Sequence, residues 1–291
     1  MNQDGILVTG NIFGISSFKG PAVVSIPKAA AYNALGFSSP VFLFPTTVGT
    51  LVPPIVQDSN ANVFLLAGDS AGNVLDLYQA NNISNQGQFS MFLKAQIAVP
   101  AYAPPPTARQ NNSTQRLDTL DGRFLAAIPQ YGNTIWAAHT IALGSFPAPK
   151  FYQIDTSANS IVQSGTFFES STSDDFNASI TANSSDEVFV TWNSTDALGS
   201  ARHNAYVKAT GRQAGDTAGT MGVKTTVSAS FSPITGNLQG GIQRWGDYSM
   251  VALDPVGTPT CAPNRRAALF NEKIINANTW GSQFADFGFC R

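Results

Sequence analysis

Residues 243–255 read Gln243-Arg244-Trp245-Gly246-Asp247-Tyr248-Ser249-Met250-Val251-Ala252-Leu253-Asp254-Pro255. From Ser249 onward, small or polar residues alternate with apolar ones until Asp254 and Pro255 end the pattern. Alternation with a period of two predicts a strand that buries one face. The charged and aromatic head, residues 244–248, lies just before that strand, where loops commonly present functional groups. The stretch therefore predicts either one wall of a site or a structural corner that locks one sheet to the next.

The composition is that of a polar but weakly charged chain. Of the 291 residues, 43% are hydrophobic and 12% are charged, with 16 basic residues against 18 acidic ones. That charged fraction is about half the usual ~25%, and Asn, Ser, Thr and Gly supply the polar surface instead. The chain has no basic cluster and no apolar run of the ~18–20 residues that span a membrane, so we expect neither a nucleic-acid nor a membrane partner.

The composition is common among secreted β-rich proteins, which predicts a secreted or periplasmic monomer, although Met1 to Gly5 lack the pattern of a signal peptide. The two cysteines, Cys261 and Cys290, flank the last segment of the chain. A bridge between them would close a loop of about 30 residues and, in the chain-entropy model, would add about 3–4 kcal/mol of stability. The composition favours this disulfide over two free buried thiols.

Short strands and turns recur along the chain, and the best helical candidate, residues 28–35, is at most two turns long. Each repeat consists of an inner strand, a tight turn, an apolar strand and one or two outer strands. The clearest copy begins at Asp175, continues through Trp192 and adds residues 205–208 and 225–229. Repeats of about 60 residues that each form a small antiparallel sheet predict an all-β fold, a β-propeller with five blades in a single domain. The five units span residues 1–50, 51–105, 106–170, 171–238 and 239–291.

The ends of the repeat leave the closure of the ring open. The first unit begins at a second strand, residues 4–9, and the last unit lacks an outer strand. Either the two ends complete one another in the closed ring, or the chain is an incomplete piece of a longer propeller. A two-sheet sandwich is the alternative fold.

Four groups of residues together resemble a group of secreted bacterial β-propeller proteins with sialidase-like architecture. They are residues 117–123, residues 132–140, the Arg-Trp-Gly-Asp-Tyr-Ser motif at 244–249 with Asp254-Pro255, and residues 279–282. The resemblance covers most of the chain and implies the propeller fold. In such proteins an inner strand precedes the segment that matches residues 8–13, and in this sequence Met1 lies where that strand is expected. Sialidases use an arginine triad and Asp-box turns. Only residues 69–73 are faintly similar to such a turn and no triad can be assigned, so the chain is not predicted to be a sialidase.

Aligning the units places Asp121, Asp175 and Asp247 at comparable positions, where inner strands would open on a shared channel. Convergent carboxylates can supply the acid and the base or nucleophile that cleave a glycosidic bond, provided that one of them has a raised pKa. We therefore predict these three residues as catalytic. As alternatives, they cap turns, or they hold a structural Ca²⁺ or Na⁺ ion in the channel; no other cofactor or metal site is expected.

Further side chains near these positions are predicted to bind the substrate. Arg123 and Arg244 lie beside two of the aspartates, and Trp245 and Tyr248 could stack on a sugar ring. His139 ends an apolar strand. It is predicted either to face the channel or to be a buried structural histidine whose hydrogen bonds are all made. The aromatic rings likewise have two interpretations, sugar binding or packing between blades.

Together these features predict a carbohydrate-active, glycosidase-like hydrolase whose carboxylate site lies at the mouth of the propeller channel and whose ligand is a carbohydrate. The alternative is a non-catalytic propeller module that binds glycans or proteins through its loops and aromatic rims.

Overall fold

The computed structural model describes residues 1–36, 39, 41–59, 62–68, 72–85, 87–236 and 238–290. Across these residues the regular structure is almost entirely strand, with a single five-residue helix, so the predicted all-β class is confirmed. The chain divides into two compact units. Unit 1 comprises Met1–Tyr102, Ala127–Trp136 and Gln153–Val162, and unit 2 comprises Ala103–Ala126, Ala137–Tyr152 and Gln163–Arg291.

The elements follow one another in this order. The first are β1 (Gly5–Phe13), β2 (Phe18–Pro27), α1 (Lys28–Tyr32), β3 (Val41–Leu43), β4 (Pro54–Val56), β5 (Val63–Gly68), β6 (Val74–Asn81) and β7 (Ser90–Ala98). Next come β8 (Ala108–Gln110), β9 (Ser113–Leu117), β10 (Ile128–Tyr131), β11 (Thr134–Leu143), β12 (Phe146–Asp155) and β13 (Ser160–Thr166). The last are β14 (Asp174–Ala182), β15 (Val188–Asp196), β16 (His203–Arg212), β17 (Thr225–Ala229), β18 (Leu238–Gln239), β19 (Ile242–Gln243), β20 (Ser249–Leu253), β21 (Arg266–Asn276) and β22 (Thr279–Gly288).

Unit 1 contains two three-stranded antiparallel sheets, β1-β2-β3 and β5-β6-β7. Apolar side chains of both sheets, among them Leu7, Val23 and Leu65, form one buried cluster. Burying such side chains is worth about 1.5–3 kcal/mol each, which is the main favourable contribution to the stability of this unit.

Unit 2 contains the sheets β14-β15-β16-β17, β20-β21-β22 and the small mixed sheet β18-β19-β9-β8. Every residue of β14 and β15 is buried, including polar ones such as Asn177 and Asn193. Buried amides must find hydrogen-bond partners. The pairing of β14 with β15 is irregular between Phe176 and Ser179, and Asn177 there has a positive φ of 54°. This bulge turns the Asn177 side chain out of the regular alternation of the strand.

The remaining sheet has the order β13-β12-β11-β10-β4, with β10 parallel to β4. The boundaries between the residue ranges of the two units fall within β11, β12 and β13.

The sheets follow the predicted repeat closely. Five of the six are built mainly from consecutive strands of one predicted unit, in up-and-down order, which is the blade architecture of a β-propeller. The exception within them is β4, which comes from the second predicted unit and pairs in parallel with β10 of the third. The strand predicted after Tyr248 is β20, and the outer strands predicted around residues 266–270 and 281–289 are β21 and β22. The number of blades stays a prediction.

The predicted disulfide is confirmed. Cys261 and Cys290 are bonded, with their Cα atoms 4.8 Å apart. Within the described ranges, no helix has the length and hydrophobicity needed to cross a lipid bilayer.

Candidate functional site

The loop that carries the Arg-Trp-Gly-Asp-Tyr motif is held at Gly246 from three strands of unit 2. Gly246 has a positive φ of 90°, a conformation that glycine adopts without strain. Its carbonyl oxygen accepts hydrogen bonds from Asn177 Nδ2 at 3.0 Å and from Asn193 Nδ2 at 3.3 Å. Its amide donates to Glu272 Oε2 at 2.9 Å. Buried side chains of β14, β15 and β21 thus fix the path of the loop immediately before Asp247.

Trp245 is the hydrophobic anchor of this loop. Its side chain is only 2% exposed and packs in a cluster with residues such as Leu117 and Ile234. The ring meets Phe176 edge to face, with centroids 6.4 Å apart. A ring buried in this way mainly stabilises the loop, and the adjacent Tyr248, which is 70% exposed, presents the accessible aromatic surface.

The loop forms one wall of a cleft of about 360 Å³. Two of the lining side chains, Tyr248 and Trp280, are largely exposed aromatic rings, and three others are charged. The lining residues are Gln239, Arg244, Trp245, Gly246, Asp247, Tyr248, Glu272 and Trp280, which we call the Arg244 cleft. A cleft of this volume falls in the range of small-ligand sites, roughly 300–1,000 Å³.

Arg244 joins two carboxylates that are far apart in sequence. Its Nη1 donates to Asp118 Oδ2 at 2.9 Å and its Nε donates to Asp247 Oδ2 at 2.5 Å. Burial opposes the charge of the guanidinium, but the two carboxylates outweigh it and raise the pKa of Arg244. Arg244 is therefore a fixed positive charge between Asp118 and Asp247.

Two carboxyl groups of the cleft, Asp247 and Glu272, have raised pKa values. Burial is the main cause of the raised pKa of Asp247, and the Arg244 guanidinium offsets part of this effect. Burial is also the main cause for Glu272; the amide of Gly246 lowers the pKa of that carboxyl, and the negative charge of Asp247 raises it. The negative charge of Asp247 thus makes ionisation of Glu272 less favourable, while that of Asp118 does the same for Asp247.

Asp121 and Arg123 form an ion pair next to this charge cluster. Arg123 Nε donates to Asp121 Oδ1 at 2.6 Å, and the Asp121 side chain is 57% exposed. Burial would raise the pKa of Asp121, but the hydrogen bonds from Arg123 outweigh it and hold the pKa below its usual value. The bond to Asp121 is the main reason that the pKa of Arg123 is raised, and the charges of Asp118 and Asp247 add to it. The structure therefore brings the predicted residues Arg123, Arg244 and Asp247 into one electrostatic neighbourhood.

Asp175 has a different environment from the other two predicted aspartates. It is fully buried at the start of β14. Its Oδ1 accepts a hydrogen bond from Trp192 Nε1 at 2.7 Å, and its Oδ2 accepts from Ser173 Oγ at 2.5 Å. Burial raises its pKa to about 6, although these hydrogen bonds act in the opposite direction. The contacts tie Asp175 to its own sheet and to the loop before it.

His139 is a buried, fully bonded histidine. Its ring is stacked on Phe124, with centroids 4.7 Å apart. Nδ1 lies 2.6 Å from the carbonyl oxygen of Gly122, which can only accept, so Nδ1 carries the proton and Nε2 accepts from the Tyr152 hydroxyl at 3.1 Å. Burial lowers its pKa to about 4. The side chain therefore stabilises the loop at Gly122 from the interior. This is the structural role that was the alternative to a channel-facing, substrate-binding one for His139.

Three residues of the site were not among the predicted site residues. Asp118 and Glu272 supply carboxylates, and Trp280 supplies an exposed ring. A sequence signal did exist for Glu272, because the polar residues Asn271, Glu272 and Lys273 separate the apolar residues 267–270 from the apolar residues 274–275. Its meaning depends on the pairing of β21 with β20 and β22, which the sequence does not reveal.

Over the described residues, no group of three or more His, Cys, Asp or Glu side chains could hold a metal ion. Asp121, Asp175 and Asp247 all lie within those residues and do not form such a group. The faint Asp-box similarity at Asp69, Ser70 and Ala71 falls outside the described residues. A second cavity in unit 2, of about 200 Å³, is lined by Leu143, Phe146, Phe168 and three serines among others, without a charged side chain in its described lining.

No protein-family model and no curated protein sequence matches the chain. One similar solved structure is the β-propeller domain of the Trilobed protease from Pyrococcus furiosus, described as having an open velcro topology. The sequences are 7% identical and the TM-score is 0.43, with 99% of this chain and 66% of that chain covered. The chain thus spans slightly less than two thirds of that structure.

Proposed function

We propose that the Arg244 cleft binds a carbohydrate. The observation that supports this proposal most directly is the combination of two exposed aromatic rings, Tyr248 and Trp280, with fixed charged groups in one cleft. The faces of aromatic rings pack on the apolar C–H faces of sugar rings, while carboxylates and guanidinium groups bond their hydroxyls. Asp118 and Asp247 hold the Arg244 guanidinium in place, so little ordering of this side chain is needed when a ligand binds.

Replacement of the two rings tests this proposal. We expect Trp280→Ala and Tyr248→Ala each to weaken binding to the glycans recognised on a glycan array by about three- to tenfold, because each removes one stacking surface. Phe284→Ala is the matched control, since Phe284 is 71% exposed on the same strand as Trp280 but does not line the cleft. Absence of binding to every glycan on the array, or equal losses in all three variants, would contradict the proposal.

Hydrolysis of a glycosidic bond is a second candidate function of the same cleft. It is favoured by the two adjacent carboxyl groups with raised pKa values. In this mechanism Asp247, which Arg244 helps to keep ionised, is the base or nucleophile, and Glu272 is the proton donor. Of the three predicted catalytic aspartates the proposal retains Asp247. It assigns Asp121 to the ion pair with Arg123 and Asp175 to the interior of its sheet.

Release of reducing sugar separates catalysis from binding alone. If the cleft is catalytic, Asp247→Asn and Glu272→Gln should each lower the rate by about 10²–10⁴-fold while the glycan still binds. Binding without any hydrolysis by the parent protein would leave the non-catalytic alternative. The confirmed disulfide is compatible with the extracellular or periplasmic location that we propose for either function.

A further inference from the structure

The charges of the Arg244 cleft are unbalanced. Among the residues that the structure describes, its lining contains two carboxyl groups, Asp247 and Glu272, and one cation, Arg244. Arg244 is also paired with Asp118, so its charge is shared between two carboxylates. At neutral pH the cleft and its immediate neighbour therefore carry an excess of negative charge. Arg123 does not restore the balance, because it is paired with Asp121.

The protein itself does not fully satisfy one of these carboxyl groups, that of Asp247. Oδ1 of Asp247 is enclosed and accepts no hydrogen bond from any described residue. Both carboxyl groups have pKa values raised mainly by burial, and Asp247 further raises that of Glu272. A ligand cation next to them would stabilise their ionised forms.

The aromatic rings of the cleft suit the same kind of ligand. Tyr248 and Trp280 expose π faces, which attract cations as well as the C–H faces of sugars. A ligand that combines a sugar ring with a positive charge therefore uses the rings and the carboxylates together. A neutral sugar would use the rings but leave the excess negative charge uncompensated.

We infer that the ligand of the Arg244 cleft is an amino sugar with a free, protonated amine, such as an oligosaccharide of glucosamine. This inference rests on the proposed carbohydrate function and specifies its ligand class. The ammonium group lies against Asp247 and Glu272, and the sugar rings pack on Tyr248 and Trp280. Charge-assisted hydrogen bonds of this kind are the strong ones in protein sites.

Three β-1,4-linked oligosaccharides of equal length test the inference, because they differ only at C2: glucosamine, N-acetylglucosamine and glucose oligomers. We expect calorimetry at a pH where the amine is protonated to show at least about tenfold tighter binding of the glucosamine oligomer. The preference should shrink as salt is added. It should be lost in Asp247→Asn and Glu272→Gln, yet persist in Asp286→Asn, which removes an exposed carboxylate of β22 outside the cleft.

Each contrary result has a distinct meaning. Equal binding of the three oligomers, or a preference for the acetylated one, overturns the amino-sugar inference and leaves carbohydrate binding intact. A lysine-rich peptide that binds as tightly as the glucosamine oligomer also overturns it, because the cleft would then select charge alone. Failure of every glycan on the array to bind overturns the proposed function itself. Thermal unfolding of each variant, followed by circular dichroism, identifies any loss that arises from misfolding.

Discussion

Gly246 is the residue on which the geometry of the cleft depends most. Two features restrict this position to glycine: its positive φ and the small space around its Cα atom. A Cβ atom at this position would lie 3.0 Å from Asn193 Nδ2 and 3.3 Å from the ring of Phe176. Both neighbours are fully buried and cannot easily move away.

Gly246→Ala should therefore lower the free energy of unfolding by about 2–3 kcal/mol, because backbone strain and crowding add. Gly132→Ala is the matched control: Gly132 has a positive φ of 54°, but a Cβ there would meet nothing within 4 Å. It should cost only about 1 kcal/mol. Urea unfolding of both variants measures the difference, and equal losses would show that crowding at Gly246 contributes nothing.

Among individual residues, the sequence predicted the part of the site that is contiguous in the chain. Arg244, Asp247 and Tyr248 are neighbours in one motif, and they line one cleft. Glu272 and Trp280 reach the cleft only through strand pairing, and Asp118 only through Arg244, so no local pattern identified them as partners. The burial of Asp175 was also not predictable, because it results from Ser173 and Trp192 closing over the carboxylate.

The sheet β20-β21-β22 is the element that assembles the cleft. In its pairing, Glu272 is opposite Ser282 and Ile274 is opposite Trp280. Since side chains alternate between the two faces, a shift of one residue in this register would place Glu272 and Trp280 on opposite faces of the sheet. The alternating sequence predicted the three strands correctly, whereas their register depends on contacts between them.

The disulfide ties the far end of β22 to the segment between β20 and β21. Replacing Cys261 and Cys290 together by serine should lower the free energy of unfolding by about 3–4 kcal/mol, since the unfolded chain regains the freedom of a loop closed across a separation of 29 residues. Urea unfolding of the double variant and of the parent protein under reducing conditions should give the same loss. A loss below about 1 kcal/mol in both would mean that the bridge contributes little to folding stability.

For the molecule as a whole, two buried titratable groups should affect stability in opposite directions over the same pH range. The pKa of Asp175 is raised to about 6, so between about pH 4 and pH 6 the native state holds a proton that the unfolded state has lost. Stability due to this group therefore falls as pH rises. The pKa of His139 is lowered to about 4, so between about pH 4 and pH 6.5 the unfolded state binds the extra proton, and stability due to this group rises with pH.

Removing either side chain should reveal the pH dependence of stability that the other side chain causes. Relative to the parent protein, Asp175→Asn should gain stability with rising pH, and His139→Gln should lose it, each by about 3 kcal/mol over the interval. Urea unfolding at a series of pH values between about 4 and 7 provides the measurement. Difference curves with the same sign in both variants would exclude the opposed titration of these two residues.

For the molecule as a whole, the periodicity of the sequence was sufficient to predict the all-β class and the order of the small sheets along the chain. It could not predict the sixth sheet, β18-β19-β9-β8, because its strands are two to five residues long and join segments distant in sequence. It also could not predict that β4 pairs in parallel with β10, far from its own neighbours in the chain.

The separation in sequence between the partners of Arg244 has a consequence for protein synthesis. Asp118 and Arg244 are 126 residues apart, and Asn177 and Gly246 are 69 apart. A ribosome makes Asp118, Asn177 and Asn193 well before the loop that contains Arg244 and Gly246, so these polar groups lack those partners until the loop has been made. A polypeptide released before β20 would contain much of the scaffold but no cleft. Ligand binding would then distinguish molecules that contain β20 to β22 from molecules that end before these strands.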